Sequence, residues 1–405
     1  MKPLEGIKVI EMSTMLAGPM TARILAEWGA DVIKVETLNG DAWRKQAGTT
    51  VSPCTPVANP NFDVQNMNKR FLSINMRTEN GKAIMDKLLK DADVFVTNYR
   101  VKALEGMGLA YDQIKDKFPK LIHASVLGYG EKGPDKDKPG YDYTAFFSRT
   151  GLMADLVPAG GAPLIPVGGI GDHSVSVALV GGICAALYKR SITGKGDRVD
   201  VALLQSAIFI LCTGILNGFN GRKLPRTRLD CGHACSNTYQ GSDGEWFYLA
   251  LIDYRRFGEL CNLLELPDVA KDPRFNTQKA YYDNKTALTK IFDKKFAEHT
   301  VPYWHKLFEE HDIPHEILYH FKDVPNDKQV LANNYMYHYE YSDGTKTVFS
   351  NGPVSFASVD NSANTCKTSK HLGGDTEEIL KELGYSKEEI AKMAEDKDIC
   401  TGGSI

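Results

Sequence analysis

The amino-acid sequence predicts an α/β fold with a mostly parallel sheet, followed by a smaller region of different texture. Through the first third, short strand-like runs alternate with helix-like runs of crossover length, the pattern of strands covered by helices on both faces. The 405 residues allow two or three domains at roughly 150 residues each, with ample core.

Ile7 to Met12 reads as the first strand, and Pro19 to Trp28 as a helix opened by Gly18-Pro19 and closed by Gly29. Proline in a first turn needs no N–H partner, and glycine past the last turn tolerates a left-handed cap. Asp31 to Glu36 completes a tight β-α-β unit. The alternation continues with a helix over Gly81 to Asp91, a strand over Asp93 to Asn98, a helix over Tyr111 to Phe118 and a strand over Leu121 to Gly128.

From Gly133 to Gly171 proline and glycine dominate, which predicts long loops. A small-residue helix, Ser174 to Arg190, then leads through the turn Gly194 to Asp197 into a strand at Arg198 to Ala202 and a helix reaching Phe219. The polar stretch Gly218 to Asn237 reads as a linker. Behind it, Trp246 to Leu251 reads as a strand, with helices near Tyr254 to Leu266, Asn284 to His299 and Pro302 to His311. The tail has a strand-like run, Thr345 to Phe349, and two charged helices, Asp375 to Leu383 and Ser386 to Asp396.

Composition excludes several classes. Lys and Arg number 48 against 51 Asp and Glu, a net charge of −3, which argues against a nucleic-acid binder working by phosphate neutralisation. No apolar run in the sequence approaches the roughly 20 residues of a membrane helix, and no apolar stretch for export precedes a cleavage site, so a cytoplasmic protein without a membrane partner is expected. The eight cysteines are scattered with no C-x-x-C pair, so reduced thiols are expected.

Gly128-Tyr129-Gly130-Glu131-Lys132-Gly133 matches G-x-G-x-x-G after a strand, but Pro134 and a charged run follow where a dinucleotide site needs a helix. His311 and His315 have helical metal-ligand spacing, yet Pro314 breaks the helix between them, and a solvated helical surface is expected. Cys231 and Cys235 lack a second pair nearby, so ordinary thiols are expected and no metal site is assigned.

The sharpest feature is Val167-Gly168-Gly169-Ile170-Gly171-Asp172-His173. On spacing alone, Asp172 is a helix N-cap. The same position suits catalysis: a helix N-terminus favours an ionised carboxylate, and glycines leave backbone N–H groups available to an oxyanion. An ionised aspartate is a competent nucleophile toward activated acyl groups.

Many collinear segments join that one: Pro3 to Glu11, Leu16 to Pro19, Trp28 to Glu36, Asn68-Lys69-Arg70, Ala92-Asp93-Val94, Asn98-Tyr99-Arg100, Gly128-Tyr129-Gly130, Gly140-Tyr141-Asp142, Gly171-Asp172 and Thr193 to Gly196. Together they strongly resemble the class III CoA-transferases, the family of formyl-CoA:oxalate CoA-transferase. The stretch Gly128 to Phe147 with Gly171-Asp172-His173 most resembles the branch acting on (R)-2-hydroxy acids such as 2-hydroxyisocaproate and phenyllactate. Val157 to Pro166 departs from that branch, which leaves the accepted side chain open.

The resemblance implies a Rossmann-like, discontinuous large domain (1–217 and 326–405), a small α+β domain (218–325) and an interlocked homodimer. It implies CoA transfer from an acyl-CoA or enoyl-CoA to a carboxylic acid in amino-acid fermentation, with Asp172 as acyl-accepting nucleophile. No cofactor is held permanently; coenzyme A is part of the substrate. The CoA residues it implies are Leu16, Ala17, Ile74 to Arg77, Asn98, Tyr99, Arg100 and Tyr129. Thr37 and Gly106 stand where formyl-CoA transferase has Arg, so Arg44, Arg100 or Lys102 would have to substitute. Acyl-CoA racemases share the fold family and carry G-H-D where this chain has Gly140-Tyr141-Asp142; a tyrosine is a poor base at neutral pH, which favours transferase. CoA-transferases for carnitine, bile acids or dicarboxylates are the further alternatives.

Overall fold

The computed structural model describes residues 1–49, 51–230, 232–359 and 366–402, the side chains of 47–49 excepted. The backbone packs as two compact units. Met1–Leu152, Ile165–Ile215 and Pro325–Ile405 form one; Met153–Leu164 and Leu216–Val324 form the other. Met153–Leu164 therefore belongs with the inserted unit, although its sequence position assigns it to the large domain.

The first unit begins with β1 (Lys8–Met12), β2 (Asp31–Glu36), β3 (Arg70–Ile74), β4 (Val94–Thr97), β5 (Ile122–Leu127) and β6 (Arg198–Ala202). The second holds β7 (Ser236–Gln240), β8 (Trp246–Ala250) and β9 (His315–Ile317). The chain returns to the first through β10 (Met336–Glu340), β11 (Lys346–Ser350) and β12 (Ile399–Cys400).

The large sheet has the order β12-β3-β2-β1-β4-β5-β6, parallel except for β12, which lies antiparallel to β3 with Ile399 opposite Ile74. Strand order reverses beside β1, whose neighbours are β2 and β4. A crevice outside the carboxyl ends of the strands at such a point is where open α/β sheets bind ligands.

One face of this sheet carries Leu72, Ile74 and Phe95 against Ile84, Leu88 and Leu89 of the helix Glu79–Asp91 and against Ile379, Leu380, Ile390 and Met393 of the tail helices. Burying each such side chain contributes roughly 1.5–3 kcal/mol, so the C-terminal tail is part of the core. On the other face the first helix, Ala17–Glu27, is buried along nearly its whole length and packs on the long helix Ile170–Thr193. The latter has 24 residues, and an 18-residue window within it has a mean hydropathy of 1.5, enough by length and composition for a membrane span, where the sequence was expected to hold no such run. Its Val175, Leu179, Val180 and Ile183 are nevertheless buried in the protein.

The second unit packs its antiparallel sheet β7-β8-β9 against helices that include Lys285–Phe296 and Val301–Glu310. Its core is aromatic, with Phe247 and Phe296 edge to face at 5.0 Å between centroids.

Candidate active site

The long helix starts at Ile170, four residues before the sequence places it, so Asp172 lies inside the first turn and is not its N-cap. The N-cap position is Gly169, at φ 93°. The capping carboxylate comes from Asp142, 27 residues upstream: its Oδ2 accepts from the Gly169 N–H at 2.8 Å and its Oδ1 from the Gly171 N–H at 3.0 Å. Asp142 opens a short π-helical segment, Asp142–Ser148, which also supplies Phe146 against Gly171 and the Tyr143 hydroxyl against Gly168. A Cβ at Gly171 would overlap both Asp142 and Phe146, so glycine there is required for the close approach.

With capping performed by Asp142, the Asp172 carboxylate has no hydrogen-bond partner among the described residues. Burial, reinforced by the Asp142 charge, pushes its pKa up to about 7. Desolvation and a like charge thus oppose the helix terminus, which by itself favours the ionised carboxylate. Among the amides around the turn, Gly169 and Gly171 go to Asp142 and His173 to the Gly169 carbonyl. The Ile170 and Asp172 N–H groups remain without an acceptor among the described residues, two orphan donors beside the carboxylate.

The residues expected to meet CoA fall at carboxyl ends of parallel strands. Leu16 and Ala17 follow β1, Asn98, Tyr99 and Arg100 follow β4, and Tyr129 follows β5. The Ala17 carbonyl accepts from Ser176 Oγ at 2.7 Å, which ties the first turn to the helix of Asp172. Asn98 is occupied with the protein itself: its Oδ1 accepts from the Thr14 N–H at 2.9 Å and its Nδ2 donates to the Thr14 carbonyl at 2.6 Å. Tyr99 is half-buried against the core. Ile74 is wholly buried at the end of β3, so its side chain faces the core and only its backbone adjoins the strand end.

Arg77, Arg100 and Lys102 are exposed and make no side-chain ion pair or hydrogen bond among the described residues. Arg44 differs. Its guanidinium holds both carboxylate oxygens of Glu36, at 2.8 and 2.7 Å, and lies 4.0 Å over the Phe62 ring. It is engaged, whereas Arg100 and Lys102 are exposed.

The other motifs have structural explanations. A Cβ on Gly128 would lie 2.6 Å from the Gly140 Cα, so the glycine string serves a close crossing of two backbone segments. Phe146 and Phe147 are buried, whereas Tyr141 and Tyr143 are 58% and 41% exposed. His315 lies in β9, and its Nε2 meets His305 Nδ1 at 2.8 Å, a pairing across the fold in place of the solvated helical surface expected from the sequence. Among the described residues no group of three or more His, Cys, Asp or Glu is placed to hold a metal ion. Cys231 lies outside the described residues, and burial pushes the Cys235 thiol up to about 12, which makes it unreactive.

The uncapped Asp172 carboxyl group lies in the first turn of its helix, and strand order reverses beside β1; comparison with known proteins defines the class. Residues 4–371 match CoA-transferase family III, and the chain belongs to that family of CoA-transferases. It is 41% identical over 395 residues to (R)-2-hydroxy-4-methylpentanoate CoA-transferase of Clostridioides difficile, covering 97% of this chain and 98% of that enzyme. It is 35% identical over 399 residues to cinnamoyl-CoA:phenyllactate CoA-transferase of Clostridium sporogenes, covering 97% and 96%. The crystal structure of a CAIB/BAIF family protein from Brucella suis superposes with a TM-score of 0.81 at 28% identity, over 94% of this chain and 99% of that one.

Proposed function

We propose that this CoA-transferase moves CoA from an acyl-CoA or enoyl-CoA to an (R)-2-hydroxy acid, with Asp172 as the covalent nucleophile. The observation that carries the mechanism is the division of labour between two carboxylates: Asp142 caps the helix, and Asp172 is left uncapped in its first turn. The acceptor class rests on likeness to the two hydroxy-acid enzymes.

In the first step an Asp172 oxygen attacks the thioester carbonyl of the donor, the C–S bond breaks, and CoA leaves as thiolate. The product is a mixed anhydride. The thiolate then attacks the aspartyl carbonyl, releasing the donor carboxylate and leaving CoA on Asp172 as a thioester. The acceptor carboxylate repeats the sequence in reverse and departs with CoA. One thioester replaces another, so no external energy source enters the balance.

A carboxyl group with a pKa near 7 suits this work, since it is substantially ionised at neutral pH and more basic than an ordinary aspartate. The Ile170 and Asp172 N–H groups are the donors best situated to receive the developing oxyanion. Leu16 and Ala17 line the CoA path, and Arg77, Arg100 and Lys102 offer unengaged charge for its phosphates. We further propose a homodimer: Tyr188 and Ile192 of the long helix and the nearby-in-sequence Phe209 are 72%, 69% and 80% exposed, apolar surface of the kind a partner covers. The seven described cysteines are free thiols, which fits a reducing, cytoplasmic setting.

The test is exchange from one acyl-CoA to a panel of carboxylic acids, read by the mass of each CoA ester formed. (R)-2-hydroxy acids should be converted best, and preference for a dicarboxylate or carnitine-type acid would overturn the substrate class.

A further inference from the structure

Beneath the turn joining β1 to the first helix lies a network of buried charges, Glu11, Lys34, Asp41 and Lys69. Lys34 Nζ donates to Glu11 Oε1 at 2.8 Å and to the Ser13 carbonyl at 3.0 Å, and pairs with Asp41 Oδ2 at 3.1 Å. Asp41 Oδ1 accepts from the Met15 N–H at 3.1 Å and the Trp43 N–H at 3.0 Å. Ser13 Oγ donates to Glu11 Oε1 at 2.7 Å. From the opposite side, Asn98 brackets the Thr14 backbone. Three consecutive residues, Ser13 to Met15, are thus each gripped by side chains from other parts of the chain.

The grip has an evident object. Met15 sits at φ 68°, a left-handed conformation that a side chain of its kind rarely adopts and that surrounding structure must impose. A buried ion network is seldom the most stabilising way to fill a core, because apolar side chains of the same volume do as well or better. Here its hydrogen bonds converge on one turn, and that turn leads directly into Leu16 and Ala17.

We propose that Lys34 and Asp41 are positioning residues of the CoA site, holding Ser13 to Met15 in the strained turn that presents Leu16 and Ala17 to the acyl-CoA. The proposal rests on the reading that these two residues line the CoA path. Lys69 supplies an internal control: its Nζ holds the Pro19 and Gln65 carbonyls at 2.8 and 2.9 Å and pairs with Glu11, but does not bond the turn.

The experiment compares the full-length parent with Asp41→Asn and Lys69→Met, using calorimetric titration with free CoA, steady-state exchange and thermal unfolding. Asp41→Asn should weaken CoA binding and raise the KM for acyl-CoA roughly tenfold, with kcat at saturation within about twofold. Lys69→Met should unfold at lower temperature yet bind CoA as the parent does. Should Asp41→Asn not fold, the double variant Lys34→Met with Asp41→Asn leaves no unpaired cation and carries the same expected loss of CoA affinity. Parent-like CoA binding by the Asp41 variants, or equal weakening by Lys69→Met, overturns the proposal. A parent that binds no CoA overturns instead the functional reading on which it stands, and the proposal with it.

Discussion

Asp142 caps the helix that carries Asp172, taking the Gly169 and Gly171 amides at 2.8 and 3.0 Å and setting its negative charge beside the second carboxyl group. One aspartate builds the turn and raises the pKa of the other.

The acidic limb of the pH–rate profile should follow from this. In the proposed mechanism Asp172 reacts as carboxylate, so kcat/KM should rise with pH through about 7. In Asp142→Asn the limb should move to lower pH, because a like charge is removed, yet remain above the ordinary aspartate value, because burial is the larger cause. Loss of one capping acceptor should also cost about 1 kcal/mol of stability. A limb that stays in place or moves upward contradicts the coupling.

Stability gives the same charge a second readout. A carboxyl group whose folded pKa is raised favours the fold below its unfolded pKa, near 3.8, and loses that contribution as pH climbs through about 7. Asp172→Asn should therefore match the parent in chemical unfolding at low pH and exceed it at pH ~8, by roughly 2–4 kcal/mol. Equal stability at both pH values would mean that Asp172 is not strained by ionisation.

The proposed phosphate contacts of Arg100 and Lys102 are testable through salt. Replacing Arg100 and Lys102 together by Gln should weaken CoA about tenfold at low ionic strength and flatten the dependence on salt, while the thermal midpoint barely changes because both side chains are exposed and unpaired. Affinity unchanged at low salt would move the phosphates elsewhere.

Gly106 offers the converse experiment. It lies within the helix Val101–Met107, and a side chain there would meet nothing within 4 Å. Gly106→Arg should stabilise the chain by about 1 kcal/mol through helix propensity and tighten CoA binding several-fold if the phosphates pass this helix. Stabilisation without tighter binding would separate the two effects.

Much of this architecture was legible because it is periodic or local. The β-α-β start shows in Ile7 to Glu36, and the glycine run points to Asp172 once family resemblance is added. What escaped was non-local. Arg70–Ile74 is a strand whose short apolar run lacks alternation, and its edge is completed by Ile399–Cys400 at the far end of the chain. Asp142 escaped as a cap because capping is ordinarily sought within a few residues of the helix, and here it crosses a loop. Arg44 looked available because pairing with Glu36 and stacking on Phe62 depend on how β2 and the following segments fold together.

The central claim is covalent attachment at Asp172, and mass spectrometry of the enzyme after brief exposure to acyl-CoA without acceptor tests it most directly. The peptide containing Asp172 should gain the mass of CoA less one water, an acceptor acid should discharge it, and Asp172→Ala should show neither adduct nor exchange. An adduct on another residue, or near-normal exchange by Asp172→Ala, would contradict it.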